Sequence, residues 1–322
     1  MSVKRIAVLT SGGDAPGMNA AVRSVARTAL SKGVEVFGVY RGYNGLIHGD
    51  IFPMNLRSVS DIIHRGGTML YTARSPEFCT EEGMQKAIKT CRENGIEGVV
   101  VIGGDGSFMG ARALANQGIP CIGLPGTIDN DIACSEYTIG YDTAMNTAVE
   151  AIDKLRDTTQ SHDRCSVVEV MGHHAGYIAL NVGIATGAVA VLLPEIPFDF
   201  ERDILQRMRQ TQVTGKKHFI IIVSEGVIGA QELANQIQAA TGVDSRATVL
   251  GHIQRGGSPT VRDRVNASLM GYHAIDLIDK GIYNRVVAVS GDKIVDYDVN
   301  VALSMHKTID RDMIEIANAI SI

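Results

Sequence analysis

Two carboxylates, Asp129 and Asp131, stand two residues apart in "PGTIDNDI" (125–132), behind a Pro-Gly turn that closes a short apolar run. In an extended segment residues two apart point to the same side, so both acids face one site while Asn130 turns away. Charges that close repel each other unless something cationic holds them together. A third acid, Asp105, lies in "GGDGS" (103–107), another polar loop behind an apolar run. Glycines there let backbone N–H groups approach a phosphate, and the start of a helix adds positive potential. A carboxylate beside bound phosphates repels them unless Mg²⁺ bridges the two. The chemistry such a set serves is metal-assisted phosphoryl transfer, one Asp at the metal and another taking a proton from an attacking hydroxyl. The competing readings are a capping role for Asp129 and a tight structural turn for "GGDGS". A second turn, "SGGD" (11–14), repeats the pattern; neither loop carries the Lys-Ser/Thr of a Walker A motif.

Transfer between anions also needs cations. Arg74 in "YTARSPEF" lies in a loop able to cover the site, and Arg164 in "SHDRCS" precedes an apolar run. Arg246, His252 and Arg255 fall within "SRATVLGHIQRGGSP". An arginine taken singly is an ordinary solvated residue. Two or three in such segments imply a phosphorylated substrate beyond the nucleotide, because guanidinium recognises phosphate through paired donors.

The elements that must position these residues follow from patterning. Apolar runs without polar alternation occur at 5–10, 34–40, 98–104, 121–125, 165–171, 189–194, 218–225 and 285–290. Such runs mark strands covered on both faces. Helical segments are expected at 18–32, 80–94, 107–117, 141–160, 201–213, 230–241 and 260–280. The alternation predicts an α/β fold of two doubly wound, Rossmann-like domains with mostly parallel sheets. Boundaries are expected near Gly140 and Gln254. The loops "TSGGDAPGMN", "IGGDGSFMG", "PGTIDNDI", "VMGHHAG" and "VSEG" each follow an apolar run, where open α/β sheets bind ligands.

Composition narrows the classes further. A net charge of −5 argues against a general nucleic-acid binder. The five cysteines form no C-x-x-C pair and are odd in number, which suits free thiols in a reducing cytosol. "RIAVLT" is too short for a signal peptide, and "YIALNVGIATGAVAVLLPEIPF" reads as a buried helix and strand rather than a membrane span. A cytoplasmic protein is the expectation.

Taken together and in order, "LTSGGDAPGMNAA", "RGGT", "GGDGS", "PGTIDNDI", "DTTQSHDR", "EVMG", "GKKH" and "ATVLGHIQRGGSP" closely resemble the bacterial ATP-dependent 6-phosphofructokinases over essentially the whole chain. The resemblance implies transfer from MgATP to the 1-hydroxyl of fructose 6-phosphate, in a homotetramer with two α/β domains per subunit. It also implies their division: 1–140 plus 254–304 as a larger ATP-binding domain, and 141–253 plus 305–322 as a smaller sugar-phosphate-binding domain. By motif, Gly12, Arg74, Ser75, Gly104, Asp105, Gly106 and Ser107 would hold ATP, with Asp105 on Mg²⁺. Asp129 would be the base, and Thr127, Asp131, Arg74 and His173 would assist the transfer. The sugar phosphate would meet Thr127, Ile128, Asp129, Met171, Gly172, His173, Glu225, His252, Ile253, Gln254 and Arg255. Arg164 and Arg246 would reach the neighbouring subunit's site. Pyrophosphate-using relatives carry Asp at position 106 and Lys at 126, so Gly106 and Gly126 favour ATP. Three alternatives remain: the pyrophosphate enzyme, a non-catalytic nucleotide sensor, and an NAD or lipid kinase. The sensor is disfavoured by the presence of Asp105, Asp129 and Arg74. The other kinases lack "PGTIDND" and "GHIQRGGSP".

Departures from the family concern one active-site residue and regulation. His173 stands where an arginine is usual, which implies altered substrate affinity and a steeper pH dependence. An ADP or phosphoenolpyruvate effector site between subunits is implied by Arg23, Arg27, Arg57, Arg156, Gly187, Lys216, Lys217 and His218. Against it, Val189 replaces a metal-binding glutamate, Thr214 a basic residue, and Leu56 an arginine. Blunted effector control is the expectation; a solvated helix face is the competing reading of Arg23 and Arg27.

Overall fold

The computed structural model describes residues 3–321. The described residues run β1 (Arg5–Thr10), α1 (Met18–Ser31), β2 (Glu35–Val39), α2 (Tyr43–His48), β3 (Ile51–Met54), α3 (Glu81–Glu93), β4 (Gly98–Gly103), α4 (Asp105–Asn116) and β5 (Cys121–Pro125). The chain continues through α5 (Tyr141–Ser161), β6 (Cys165–Val170), α6 (Tyr177–Thr186), β7 (Ala190–Leu192), α7 (Gln206–Val213), β8 (Phe219–Ser224), α8 (Ala230–Thr241) and β9 (Ser245–Val249). It ends with α9 (Val261–Asp279), β10 (Arg285–Ser290), β11 (Lys293–Asp298), α10 (Val299–Ser304) and α11 (Arg311–Ile320).

These elements divide into two compact units. The first comprises the chain up to Ile128, Ile132–Thr143 and Arg255–Lys307. The second comprises Asp129–Asp131, Ala144–Gln254 and the chain from Thr308 on.

The first unit holds a seven-stranded sheet in the order β11-β10-β5-β4-β1-β2-β3. Its inner pairs are parallel, while β3 and β11 join antiparallel at the two edges. The buried run "GVVVIG" makes β4 a central strand, with every residue covered. Each fully buried Val or Ile in such a strand contributes about 1.5–3 kcal/mol relative to exposure. One face of the sheet packs Leu9, Val99 and Val101 against Leu46, Ile88 and Leu114. From β1 the chain winds outward to β2, then returns across the sheet to β4, so the winding direction reverses between β1 and β4. Crevices at such reversals, outside the carboxyl ends of the strands, are the ligand positions of open α/β sheets.

Asp263 fixes the backbone between Tyr137 and Thr143. It lies fully buried in the first turn of α9 and accepts hydrogen bonds from the Tyr137 hydroxyl (2.7 Å), Gly140 N–H (2.8 Å) and Thr143 N–H (2.9 Å). Burial pushes its carboxyl above the usual range, and hydrogen bonds led by that of Thr143 pull against the shift.

The second unit holds a four-stranded, all-parallel sheet in the order β7-β8-β6-β9. Its core sets Val167, Ile221 and Val223 against Leu233, Ile237 and Met208. No helix among the described residues is long and apolar enough to cross a membrane.

Candidate active site

In the first unit, β1 and β4 run side by side and release two glycine turns at neighbouring ends. The Ser11 N–H donates to the Ile102 carbonyl (2.9 Å), which ties the turns together. A Cβ on Gly103 would collide with the Ser107 hydroxyl and the Ser11 carbonyl, so only glycine permits this approach. Gly12 has φ of +88°, another conformation that side chains resist. Arg255 donates from Nη1 to the Asp14 carbonyl (3.2 Å), and a Cβ on Gly13 would come within 2.6 Å of that nitrogen. The expected sugar-phosphate contact Arg255 is therefore seated on the first glycine turn.

The loop carrying Arg74 docks on the same turn. Thr72 donates through its hydroxyl to the Gly12 carbonyl (2.6 Å), and Thr10 donates to the Tyr71 carbonyl (2.7 Å). Arg74 itself is exposed, as are Asp105 and Gly106 in the first turn of α4. Ser107 is buried, and its carbonyl accepts from the Tyr43 hydroxyl (2.5 Å). Tyr43 stacks on Phe78 at 4.0 Å, bracing the second glycine turn from below. The patterning did not single out Tyr43, because the short helix α2 is hidden between glycines in "RGYNGLIHGD". Thr127 is half-buried, and its carbonyl accepts from Thr138 (2.7 Å). Ile128 is fully buried, which leaves its backbone rather than its side chain for contact with a ligand.

The second unit begins with the paired acids. Asp129 is buried at 7% exposure, while the Asp131 side chain retains 35%. Asn130 between them has φ of 53°, a left-handed conformation that asparagine tolerates. The extended, period-two segment expected from the sequence is thus broken at Asn130. Asp131 lies 3.7 Å from His173 Nδ1. His173 also has positive φ, 59°, and its ring stands 4.1 Å from that of His174.

The turn after β6 is held by two side chains. Glu225 Oε1 accepts from the N–H groups of Gly172 (3.0 Å) and His173 (2.5 Å). Gln254 Oε1 accepts from Met171 N–H (2.8 Å), with the Gln254 side chain fully buried. Gln254 therefore pins the turn, while His252 and Ile253 beside it are exposed. Arg164 and Arg246 lie at the other end of the strands. Both grip Asp244, at 2.6 and 3.2 Å, beside the first residues of β6 and β9. The six residues of β6 separate Arg164 from Met171, roughly 20 Å at ~3.3 Å per residue. One copy of the sheet does not bring these arginines to the Met171–His173 turn.

The basic residues of the expected effector site fall into two sets. In the first unit, Arg23 and Arg27 are half-buried on α1 and Arg57 is exposed. Burial, and then the charge of Arg27, lower the Arg23 guanidinium below its ordinary value. Leu56 beside Arg57 is an exposed apolar residue. In the second unit, Arg156 donates to the Thr186 carbonyl beside Gly187. Burial, and then Arg156, lower the Lys216 pKa. His218 is lowered by burial, Lys216 and Arg156, with Asp163 opposing. Lys217 is exposed, and the Thr214 hydroxyl is turned to the Thr211 carbonyl (2.7 Å). Val189 packs in the core at 1% exposure.

Paired glycine turns at the winding reversal of a mostly parallel sheet define a doubly wound α/β protein, with both turns at the strand ends where such sheets bind ligands. A sequence model described as Phosphofructokinase matches residues 5–278, and the chain belongs to the phosphofructokinase family. The ATP-dependent 6-phosphofructokinase of Bacillus mycoides (strain KBAB4) is 54% identical over 320 residues, covering 99% of this chain and 100% of that protein. Among solved structures, phosphofructokinase from Saccharomyces cerevisiae aligns with a TM-score of 0.87 and 33% identity over 98% of this chain. This chain spans only 46% of that longer one. A pyrophosphate-dependent phosphofructokinase from Marinobacter aquaeolei shares the fold, with a TM-score of 0.86 and 23% identity over 96% of this chain and 86% of that one.

Proposed function

We propose that this chain transfers the γ-phosphoryl group of ATP to the 1-hydroxyl of fructose 6-phosphate, giving ADP and fructose 1,6-bisphosphate. The observation that carries the reading is the pair of glycine turns at the β1/β4 reversal, adjoined by the Arg74 loop. Chain-length identity to ATP-dependent 6-phosphofructokinases supports the same donor and acceptor.

In this reading Gly12 and Gly104–Ser107 offer backbone N–H groups to the triphosphate, and Arg74 and Ser75 close over it. Asp129 takes the proton from the sugar's 1-hydroxyl as that oxygen forms its bond to the γ-phosphorus and ADP departs. Thr127, Asp131 and His173 assist the transfer. Met171, Gly172, Glu225, His252 and Arg255 orient the sugar phosphate, and Gln254 acts through Met171. Among the described residues no group of three His, Cys, Asp or Glu could hold a metal alone. The exposed carboxylate of Asp105 on a phosphate cradle suits Mg²⁺, which binds one or two carboxylates plus substrate phosphates. When bound, Mg²⁺ would neutralise charge on the phosphates.

A coupled assay of fructose 1,6-bisphosphate formation tests the reading. Turnover with ATP and not with pyrophosphate is expected; turnover with pyrophosphate alone, or with neither, would sink it.

His173 supplies a second expectation. A guanidinium grips phosphate through paired donors and an imidazole does not. His173 stands 3.7 Å from Asp131, beside the acids that the reading puts at the transferred group. His173→Arg is expected to lower KM for fructose 6-phosphate by about threefold or more. An unchanged KM would remove His173 from the reaction.

Assembly as a homotetramer accounts for Arg164 and Arg246, whose place at the far end of the β6 strand suits a second subunit's site. Effector control is expected to be blunted, because Val189 offers no metal ligand and lies in the core. Activation by ADP at low fructose 6-phosphate should stay below the roughly fivefold that begins the usual range of allosteric coupling. Because burial and neighbouring cations depress the His218 pKa, an anion seated among Arg156 and Lys216 would raise it again. An NMR titration of the His218 ring therefore reports anion binding even where the rate is unmoved. Strong ADP activation would overturn the blunted reading.

A further inference from the structure

β7 is an edge strand of the four-stranded sheet, and a cavity of 360 Å³ opens beside it. Its apolar wall is formed by Val191, Leu193, Ile196 and Phe198, and Ile314 of α11 faces them from the carboxyl-terminal helix. The volume falls in the range of small-molecule sites, ~300–1,000 Å³. None of the residues assigned above to ATP, sugar phosphate or effector lines it.

Among the described residues the charge on this wall is unbalanced. The ionisable residues lining the cavity are Arg202, Asp203 and Arg207. Asp203 is held by Arg202, with Nε 2.6 Å from Oδ1. Arg207, one turn further on, is half-buried and among the described residues meets only neutral acceptors in its hydrogen bonds. Nη2 donates to Asn318 Oδ1 (2.6 Å), and Nη1 donates weakly to the Ser321 hydroxyl (3.3 Å) and the Val189 carbonyl (3.4 Å). No ion pair to Arg207 occurs among the described residues. Burial lowers its pKa, and the Asp203 charge opposes that shift in part. A guanidinium in this setting retains its charge. It gains most from a carboxylate, which would replace the two long Nη1 bonds with short ones to a full negative charge.

We propose that the cavity beside β7 is a binding site for a small organic monoanion, its carboxylate on Arg207 and a branched hydrocarbon body against Val191, Leu193, Ile196, Phe198 and Ile314. The site is separate from the phosphoryl-transfer machinery and stands whether or not that assignment holds.

The probe is 4-methylpentanoate, compared with its neutral twin 4-methylpentan-1-ol, titrated into the full chain and followed by saturation-transfer NMR. Saturable binding of the acid is expected in about the millimolar range, with the alcohol at least tenfold weaker. Arg207→Gln keeps a donor for Asn318 and should erase the difference between the two ligands. Ile314→Trp, which fills the cavity, should abolish both. Equal binding of acid and alcohol, acid binding unchanged in Arg207→Gln, or no saturable binding of the acid would each overturn the proposal. The comparison of the two ligands needs no variant, so a misfolded substitution does not rescue it.

Discussion

Asp129→Ser is expected to lower kcat for fructose 1,6-bisphosphate formation by about 10²–10⁴-fold, the range that a positioned general base contributes. The carboxylate is buried at 7% exposure, so it is poorly placed to be a solvated loop residue. Serine is smaller and occupies no more than the space that the aspartate leaves, and Asn130 keeps its own left-handed turn. The glycine turns belong to the other unit, and nothing in them changes. KM for ATP should therefore move by no more than a few-fold while turnover collapses. Asp129→Asn preserves shape and removes the base, and it should lose a comparable factor. Steady-state rates with both variants decide the matter: turnover within tenfold of wild type would remove Asp129 as the proton acceptor.

Gly106→Asp should separate folding from catalysis. A Cβ at Gly106 meets nothing within 4 Å, and its φ lies outside the positive region, so the backbone accepts a side chain. The residue is in the first turn of α4, where an acid contributes about 0.3–1 kcal/mol of stability against the helix dipole. The same carboxylate would stand where the reading puts phosphates. Two unit charges 4 Å apart cost between ~1 kcal/mol in water and ~4 kcal/mol near a protein surface. With 1.4 kcal/mol per factor of ten, kcat/KM for ATP should fall by about 10 to 10³-fold. Thermal unfolding should show a Tm unchanged or slightly raised. Retained ATP activity in a folded variant would mean that the nucleotide's phosphates lie elsewhere.

Much of the fold was legible because buried parallel strands leave continuous apolar runs, and "RIAVLT", "GVVVIG" and "FIIIVS" all became strands. The elements that escaped lack that signature. β3 contains Pro53 and pairs only at an edge. β11, "KIVDYD", mixes polar and apolar residues as a half-exposed antiparallel strand and leaves no continuous apolar run. β9, "SRATV", is short and mostly uncovered. In the site, the two glycine turns announced themselves through Gly-Gly-Asp behind apolar runs. The contacts that shape them did not. Thr72 on Gly12, Tyr43 on Ser107 and Gln254 on Met171 join residues 60, 64 and 83 apart, and local patterning carries no record of them. The bend at Asn130 was missed for a different reason, since asparagine suits both a strand end and a left-handed turn.

The seating of β10 against β5 has a consequence for how the chain is made. Cys121 N–H is satisfied by Asn284 Oδ1, a partner 163 residues further on. The seven-stranded sheet is therefore incomplete until the last third of the chain has been synthesised. Until then β5 presents a bare apolar edge, while the four-stranded sheet, built from one nearly continuous stretch, has all its strands. Long-range pairing of this kind slows folding and exposes unpaired strands to association. The later part of the chain is thus both a structural strand and the release from a vulnerable intermediate, and truncation before Arg285 should yield aggregates rather than a smaller active protein.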